Sequence, residues 1–332
     1  SLTVRKDSAL PLCLQRTFGG LTTMKTLFAI LNVIITTLIC SCTGQKTTTA
    51  NETIETGTKV YCFKDSCQQL MVKLSLELPA GTDSASMQIR ESLIAAFARH
   101  CQLPSFDQEE EGGIESYCGD MNDSQAIVDY YGKSIYDFLL QNAMTEHEEM
   151  IKYLEEDSTM STEDREATKN NVMQWTFDLN MKNMIDTLGF VVYHAPLYVY
   201  YGGAHGSFIS PNALTFDKKT GIKIDDFVKD DVTIAMQPLI RKGLVQYYNS
   251  CGETLTDDEL SQHFIIEGEL IPLPKWLPYP NATGDSLIFT YQQYEITPYA
   301  DGLPTFTLAI KDLMPFLTDD IKTLVPTMTE NR

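Results

Sequence analysis

Period-two alternation of apolar and polar residues recurs along the chain. Val72, Leu74, Leu76 and Leu78 take turns with Lys73, Ser75 and Glu77, which predicts a half-buried strand stopped at Pro79. Trp175, Phe177, Leu179 and Met181 repeat the pattern, as do Leu287, Phe289 and Tyr291, and then Phe306, Leu308 and Ile310. Residues 189–201 are apolar on both faces, with Pro196 marking a bulge or an edge. Residues 207–216 read as one strand, ended by a turn at 218–221, and the Pro-rich stretch 271–280 reads as an extended loop. Elsewhere the spacing is helical. Asp83 or Ser84 caps a helix whose apolar positions are Met87, Ile89, Leu93, Ile94 and Phe97. A longer helix runs from Ser124 with Ile127, Tyr131, Ile135, Phe138 and Leu139 on one face, and the Glu-rich residues 145–169 extend it or start another. A helix near 231–249 holds Pro238 in its first turns or at a kink, and Thr256 caps a short helix. Strand and helices, then a run of strands, then helices and strands argue an α+β class, with an antiparallel sheet packed against helices. No internal repeat is present.

One apolar run has neither period. Residues 24–42 read MKTLFAILNVIITTLICSC: a basic start at Lys25, an apolar middle, and a small residue before Cys42. Asn32, Thr36 and Thr37 interrupt it, and it falls short of the ~20 apolar residues that span a bilayer, so a secretory signal is favoured over an anchor. Ile39 and Ser41, placed three and one before Cys42, resemble a bacterial lipobox. That resemblance implies cleavage before Cys42 and lipid, such as palmitate, on its cysteine. No Asp stands at the second position after it, which by the same analogy implies the outer membrane of a cell envelope, facing the periplasm or the exterior. Residues 1–23 read as translation upstream of Met24. Residues 42–58, Thr-rich and nearly free of apolar side chains, form a tether. The remainder divides by its change of pattern into 59–170 and 171–332.

The charge follows that division. The whole chain carries −20. Residues 1–41 hold Arg5, Lys6, Arg16 and Lys25 against Asp7, so the 291 residues from Cys42 onward carry −23. Such a surface repels phosphate backbones, which argues against nucleic acid, and attracts a basic partner. Beyond Cys42 the cysteines are Cys62, Cys67, Cys101, Cys118 and Cys251, an odd number in an oxidising compartment. Spacing suggests the pairs Cys62–Cys67 and Cys101–Cys118. It does not suit zinc: there is no CxxC.

Two segments carry the sharpest pattern. They are Tyr200-Tyr201-Gly202-Gly203-Ala204-His205-Gly206 and the stretch Tyr291-Gln292-Gln293-Tyr294-Glu295-Ile296-Thr297-Pro298-Tyr299-Ala300-Asp301-Gly302. With Trp175, the 214–217 strand and Gly221 they resemble, over roughly 172–317, a bacterial envelope domain of unknown function. That domain forms the extracellular part of the lysozyme-sensing anti-sigma factor V and accompanies some peptidoglycan deacetylases and many lipoproteins. The chain lacks that factor's sigma-binding segment and transmembrane helix, and it lacks a deacetylase domain. The resemblance therefore implies a recognition module on a lipid tether, with Tyr201, Gly203, His205, Tyr294, Glu295 and Tyr299 as its binding residues.

The residues themselves leave two readings open. The glycines of 202–206 supply a turn that projects His205. His205 is either a ligand or proton-transfer group, or a ring bonded to backbone or a tyrosine; Glu295 is placed to pair with it. One histidine without a second ligand makes no metal site, and no cofactor motif is present. The tyrosines at 193–201 and 291–299 fill a sheet core or line a recognition surface. The favoured function is non-enzymatic recognition of a basic protein such as lysozyme, or of peptidoglycan. The alternative is an enzyme on peptidoglycan fragments using His205, Glu295 or the pair Asp225 and Asp226, although that pair reads more naturally as a helix start.

Overall fold

The computed structural model describes residues 57–102, 113–187, 189–208, 213–252, 254–266, 268 and 270–329. The signal segment 24–41, Cys42 and tether residues 42–56 lie outside them. Among the described residues no helix is long and apolar enough to cross a membrane.

Strands β1 (Thr58–Ser66) and β2 (Leu70–Pro79) form an antiparallel hairpin. β2 buries Leu70, Val72, Leu74, Leu76 and Leu78 on one face, as its alternation requires. Helix α1 (Ser84–Cys101) follows. Asp83 is its cap, its carboxylate accepting the Ser86 N–H at 3.0 Å. Ile89, Leu93, Ile94 and Phe97 enter the core, while Met87 faces solvent. Helix α2 (Ser124–Glu156) is capped by Asp123 and continues through the first half of the Glu-rich stretch; α3 (Thr162–Asn170) is separate. These helices carry the chain back across the sheet, so β3 (Trp175–Asp186) lies parallel to β2, with Leu70 opposite Trp175. That pairing joins residues on both sides of position 171 in one sheet.

β4 (Phe190–His194) and β5 (Leu197–Tyr200) both pair antiparallel with β3, one along Lys182–Asp186 and the other along Thr176–Leu179. Pro196 lies between them. It donates nothing, and its carbonyl accepts the Asn180 N–H at 3.1 Å. Residues 207–216 are two strands rather than one. β6 (Ser207–Phe208) pairs with β5, while β7 (Ala213–Asp217) pairs with β4 and with β8 (Lys223–Ile224). The sheet order is β1-β2-β3-β4-β7-β8, with β5 and β6 off that path, and every pair but β2–β3 is antiparallel.

A second core gathers on helix α4 (Thr233–Ser250), which continues through Pro238. Met236, Ile240, Leu244 and Tyr248 pack with the three-stranded antiparallel sheet of β9 (Tyr279–Pro280), β10 (Ser286–Thr290) and β11 (Thr305–Ala309). Short α5 (Ile310–Leu313) and α6 (Asp319–Thr329) complete it. Asp225 and Asp226 do not start α4, which begins seven residues later. Asp225 pairs with Lys223, and the Asp226 carbonyl accepts the Thr318 hydroxyl at 2.9 Å.

The cysteine pairs suggested by spacing do not form: Cys62, Cys67, Cys101, Cys118 and Cys251 are all free thiols. Cys101 is fully buried at the end of α1, and Cys118 is exposed, donating to the Ser116 carbonyl at 3.3 Å. Cys62 points to the Ser75 hydroxyl, and Cys67 to the Gln69 amide.

Candidate functional site

The chain leaves β5 at Tyr200 and turns on two glycines. Gly202 and Gly203 sit at φ +89° and +82°, a region a Cβ disfavours. The Tyr200 hydroxyl donates to the Gly203 carbonyl at 3.1 Å and so closes the turn. Two residues on, His205 emerges exposed.

Its partners come from the other motif, about ninety residues away in sequence. The His205 ring stacks on Tyr299, with centroids 3.6 Å apart and planes 14° from parallel. Nε2 lies 3.1 Å from the Tyr294 hydroxyl, and Nδ1 lies 3.3 Å from the Gly206 carbonyl. A carbonyl only accepts, so a proton on Nδ1 leaves Nε2 to accept from Tyr294. Tyr299 donates to the same Gly206 carbonyl at 2.8 Å. Gln293 accepts the Phe208 N–H at 3.0 Å and ties the two loops again. Tyr294 is 54% exposed and sits at φ +62°, an uncommon conformation for a non-glycine residue.

The other expected residues lie apart from this cluster. Tyr201 turns the opposite way and packs on Trp175 at 5.1 Å; burial pushes its hydroxyl pKa well up. Glu295 does not pair with His205. Its oxygens accept the backbone N–H groups of Lys275 (2.7 Å) and Gln292 (2.8 Å), so it is spent on holding its own loop. That loop is anchored further by Asp301, whose carboxylate accepts the Tyr248 hydroxyl (2.9 Å) and whose carbonyl accepts that of Tyr247 (2.5 Å). Burial and the Asp301 hydrogen bond both hold the Tyr248 hydroxyl pKa far above its usual range.

A cleft of about 250 Å³ is lined by Gly202, Gly203, Trp175 and part of α2, and by none of the His205 cluster. Its α2 residues were not singled out from sequence. The available signal was the apolar stripe of α2 running on past Leu139 through Ala143 and Met150.

The fold and its loops define an α+β domain that presents a cluster of aromatic rings at its surface. Residues 225–311 match the family described as Protein of unknown function (DUF3298). Among solved structures, the chain is similar in fold to a DUF3298 family member from Bacteroides fragilis NCTC 9343. The TM-score is 0.54 at 16% identity, over 82% of this chain and 97% of that one. A DUF3298 family protein from Pseudomonas aeruginosa PAO1 aligns with a TM-score of 0.49 and 11% identity, over 83% and 97% of the two chains. Comparison with curated proteins finds no match.

Proposed function

We propose that this chain is a lipid-anchored protein of the bacterial cell envelope, held through Cys42, whose domain recognises a basic protein of the lysozyme type or a cell-wall glycan. The observation that carries this reading is the exposed ring cluster of His205, Tyr294 and Tyr299. Rigid aromatic rings with polar edges, offered by loops on a packed scaffold, suit recognition of protein and sugar alike. The charge of −23 from Cys42 onward favours a basic protein over a neutral glycan. An enzymatic reading has less support, because the carboxylate nearest in sequence to the cluster, Glu295, is occupied by two backbone donors.

The test is direct binding. The purified chain with Cys42→Ser is immobilised and exposed to lysozyme and to peptidoglycan sacculi. Binding of either, weakened tenfold or more by the double change Tyr294→Ala and Tyr299→Ala, supports the reading. Failure of both to bind at low salt, with the domain folded, overturns it.

A further inference from the structure

Helix α2 carries one stripe along most of its length. Ile127, Tyr131, Ile135 and Leu139 are buried on one face, and the same stripe continues through Ala143, Glu146, His147 and Met150. Those four line the 250 Å³ cleft. Trp175, the first residue of β3, and the Gly202–Gly203 turn after β5 line it too. Gly203 is bare backbone there: a Cβ on it would meet nothing within 4 Å.

The cleft is chemically lopsided. Ala143, Met150, Val172 and Met173 give it apolar surface, and the Trp175 indole lines it with Tyr201 packed behind. Glu146 is exposed and enters no ion pair or hydrogen bond among the described residues. Among the described residues no lysine or arginine lines the cleft; His147, next to Glu146 on α2, is the basic side chain that does.

We propose that this cleft takes a cation carried on an aliphatic stem, the ammonium or guanidinium of a lysine- or arginine-type group. The stem packs on the alanine, valine and methionine surface. The charged head sits between the indole face and the Glu146 carboxylate. The inference rests on the recognition reading and names the group bound at one point of it.

Trp175 supplies the readout, because the other tryptophan, Trp276, is 5% exposed. The purified chain with Cys42→Ser is titrated with acetyl-Gly-Lys-Gly-amide, acetyl-Gly-Arg-Gly-amide, the neutral acetyl-Gly-Gln-Gly-amide, 1,5-diaminopentane and a trimer of N-acetylglucosamine. The expected result is a saturable emission change with the basic probes, at least fivefold weaker with the glutamine peptide. Glu146→Gln, on an exposed helix position, should weaken the basic probes at least fivefold and leave thermal unfolding unchanged. A tripeptide tighter than the diamine points to a protein-borne side chain; equal affinity points to a free amine; both support the proposal. An equal response to the glutamine peptide, indifference to Glu146→Gln, saturation by the sugar alone, or no saturable change overturns it. The two readings separate cleanly. Partner binding that depends on Tyr294 and Tyr299 but not on Glu146 removes only the cleft assignment. Basic probes that bind a chain deaf to lysozyme and peptidoglycan remove only the recognition reading.

Discussion

His205 owes its exposure to the glycines before it. At Gly203 the cost of a side chain is conformational rather than steric, since a Cβ there meets nothing within 4 Å but the residue sits at φ +82°. A residue with a Cβ in that region loses roughly 1–2 kcal/mol, and β-branching adds to it. Gly203→Val should therefore lower the melting temperature by about 4–8 °C, at ~2–4 °C per kcal/mol. His205→Gln should cost no more stability than the about 0.5–1.5 kcal/mol that stacking on Tyr299 contributes, a small fall in melting temperature, and should leave partner binding close to that of the parent. Thermal unfolding and binding of both variants check this. His205→Gln that folds normally and loses all function would make the motif an active site. A different histidine gives stability a pH dependence. His100, near the end of α1, is lowered from 6.5 to about 4, chiefly by burial and secondarily by the Arg99 charge. The folded protein holds it neutral while the unfolded chain protonates it. Its contribution to stability is thus complete above pH 6.5, falls as pH drops through the window between 6.5 and 4, and is gone below it. At ~1.4 kcal/mol per pH unit the full loss is of the order of 3–4 kcal/mol. Stability of the parent and of His100→Gln, measured from pH 7 to pH 4, should diverge in that window, with the parent falling more steeply.

Glu295 works at the scale of a loop. Both oxygens accept backbone N–H groups, one from its own turn and one from the 271–280 stretch, so it fixes the frame on which Tyr294 and Tyr299 stand. Glutamine keeps one accepting oxygen and sets an NH2 against the other donor. Glu295→Gln should cost about 1–3 kcal/mol, read as a lower melting temperature, and weaken partner binding through displaced rings. A variant that melts normally yet loses binding would instead place Glu295 in the interface. The sequence could not disclose this role, because the two N–H groups become neighbours only once the second core has formed. What was legible were elements whose burial period is written in their own residues: β2, β3, α1 and α2. β1 was not, because as an edge strand it is largely polar and exposed. The β2–β3 pairing was not, since nothing local sets a strand beside another about a hundred residues away in parallel. The cysteine pairs failed for a related reason: spacing says nothing of Cys101 lying in the core. The meeting of the two motif loops was legible only through resemblance, and the α2 lining of the cleft only as a stripe running about three turns past Leu139.

At the scale of the molecule, the proposed anchorage and the net charge make separate predictions. The residues from Cys42 onward carry −23, a charge that attracts cations from solution; lipid on Cys42, as proposed, would hold that charge near a membrane. If lipid on Cys42 is the anchor, Cys42→Ala should move the protein from the membrane to the soluble fraction on fractionation, and full membrane retention would sink that expectation. Charge makes a separate prediction about rate. Steering reaches only as far as the Debye length, ~30 Å at 0.01 M salt but ~8 Å at physiological ionic strength. For a basic protein partner, the association rate should fall by about tenfold or more between those conditions, while dissociation, set by ring contacts and any side chain held in the cleft, changes far less. Stopped-flow association with lysozyme across that salt range separates the terms. A rate indifferent to salt would mean that the acidic surface serves solubility alone and that recognition resides in the ring cluster of Tyr294 and Tyr299 with His205.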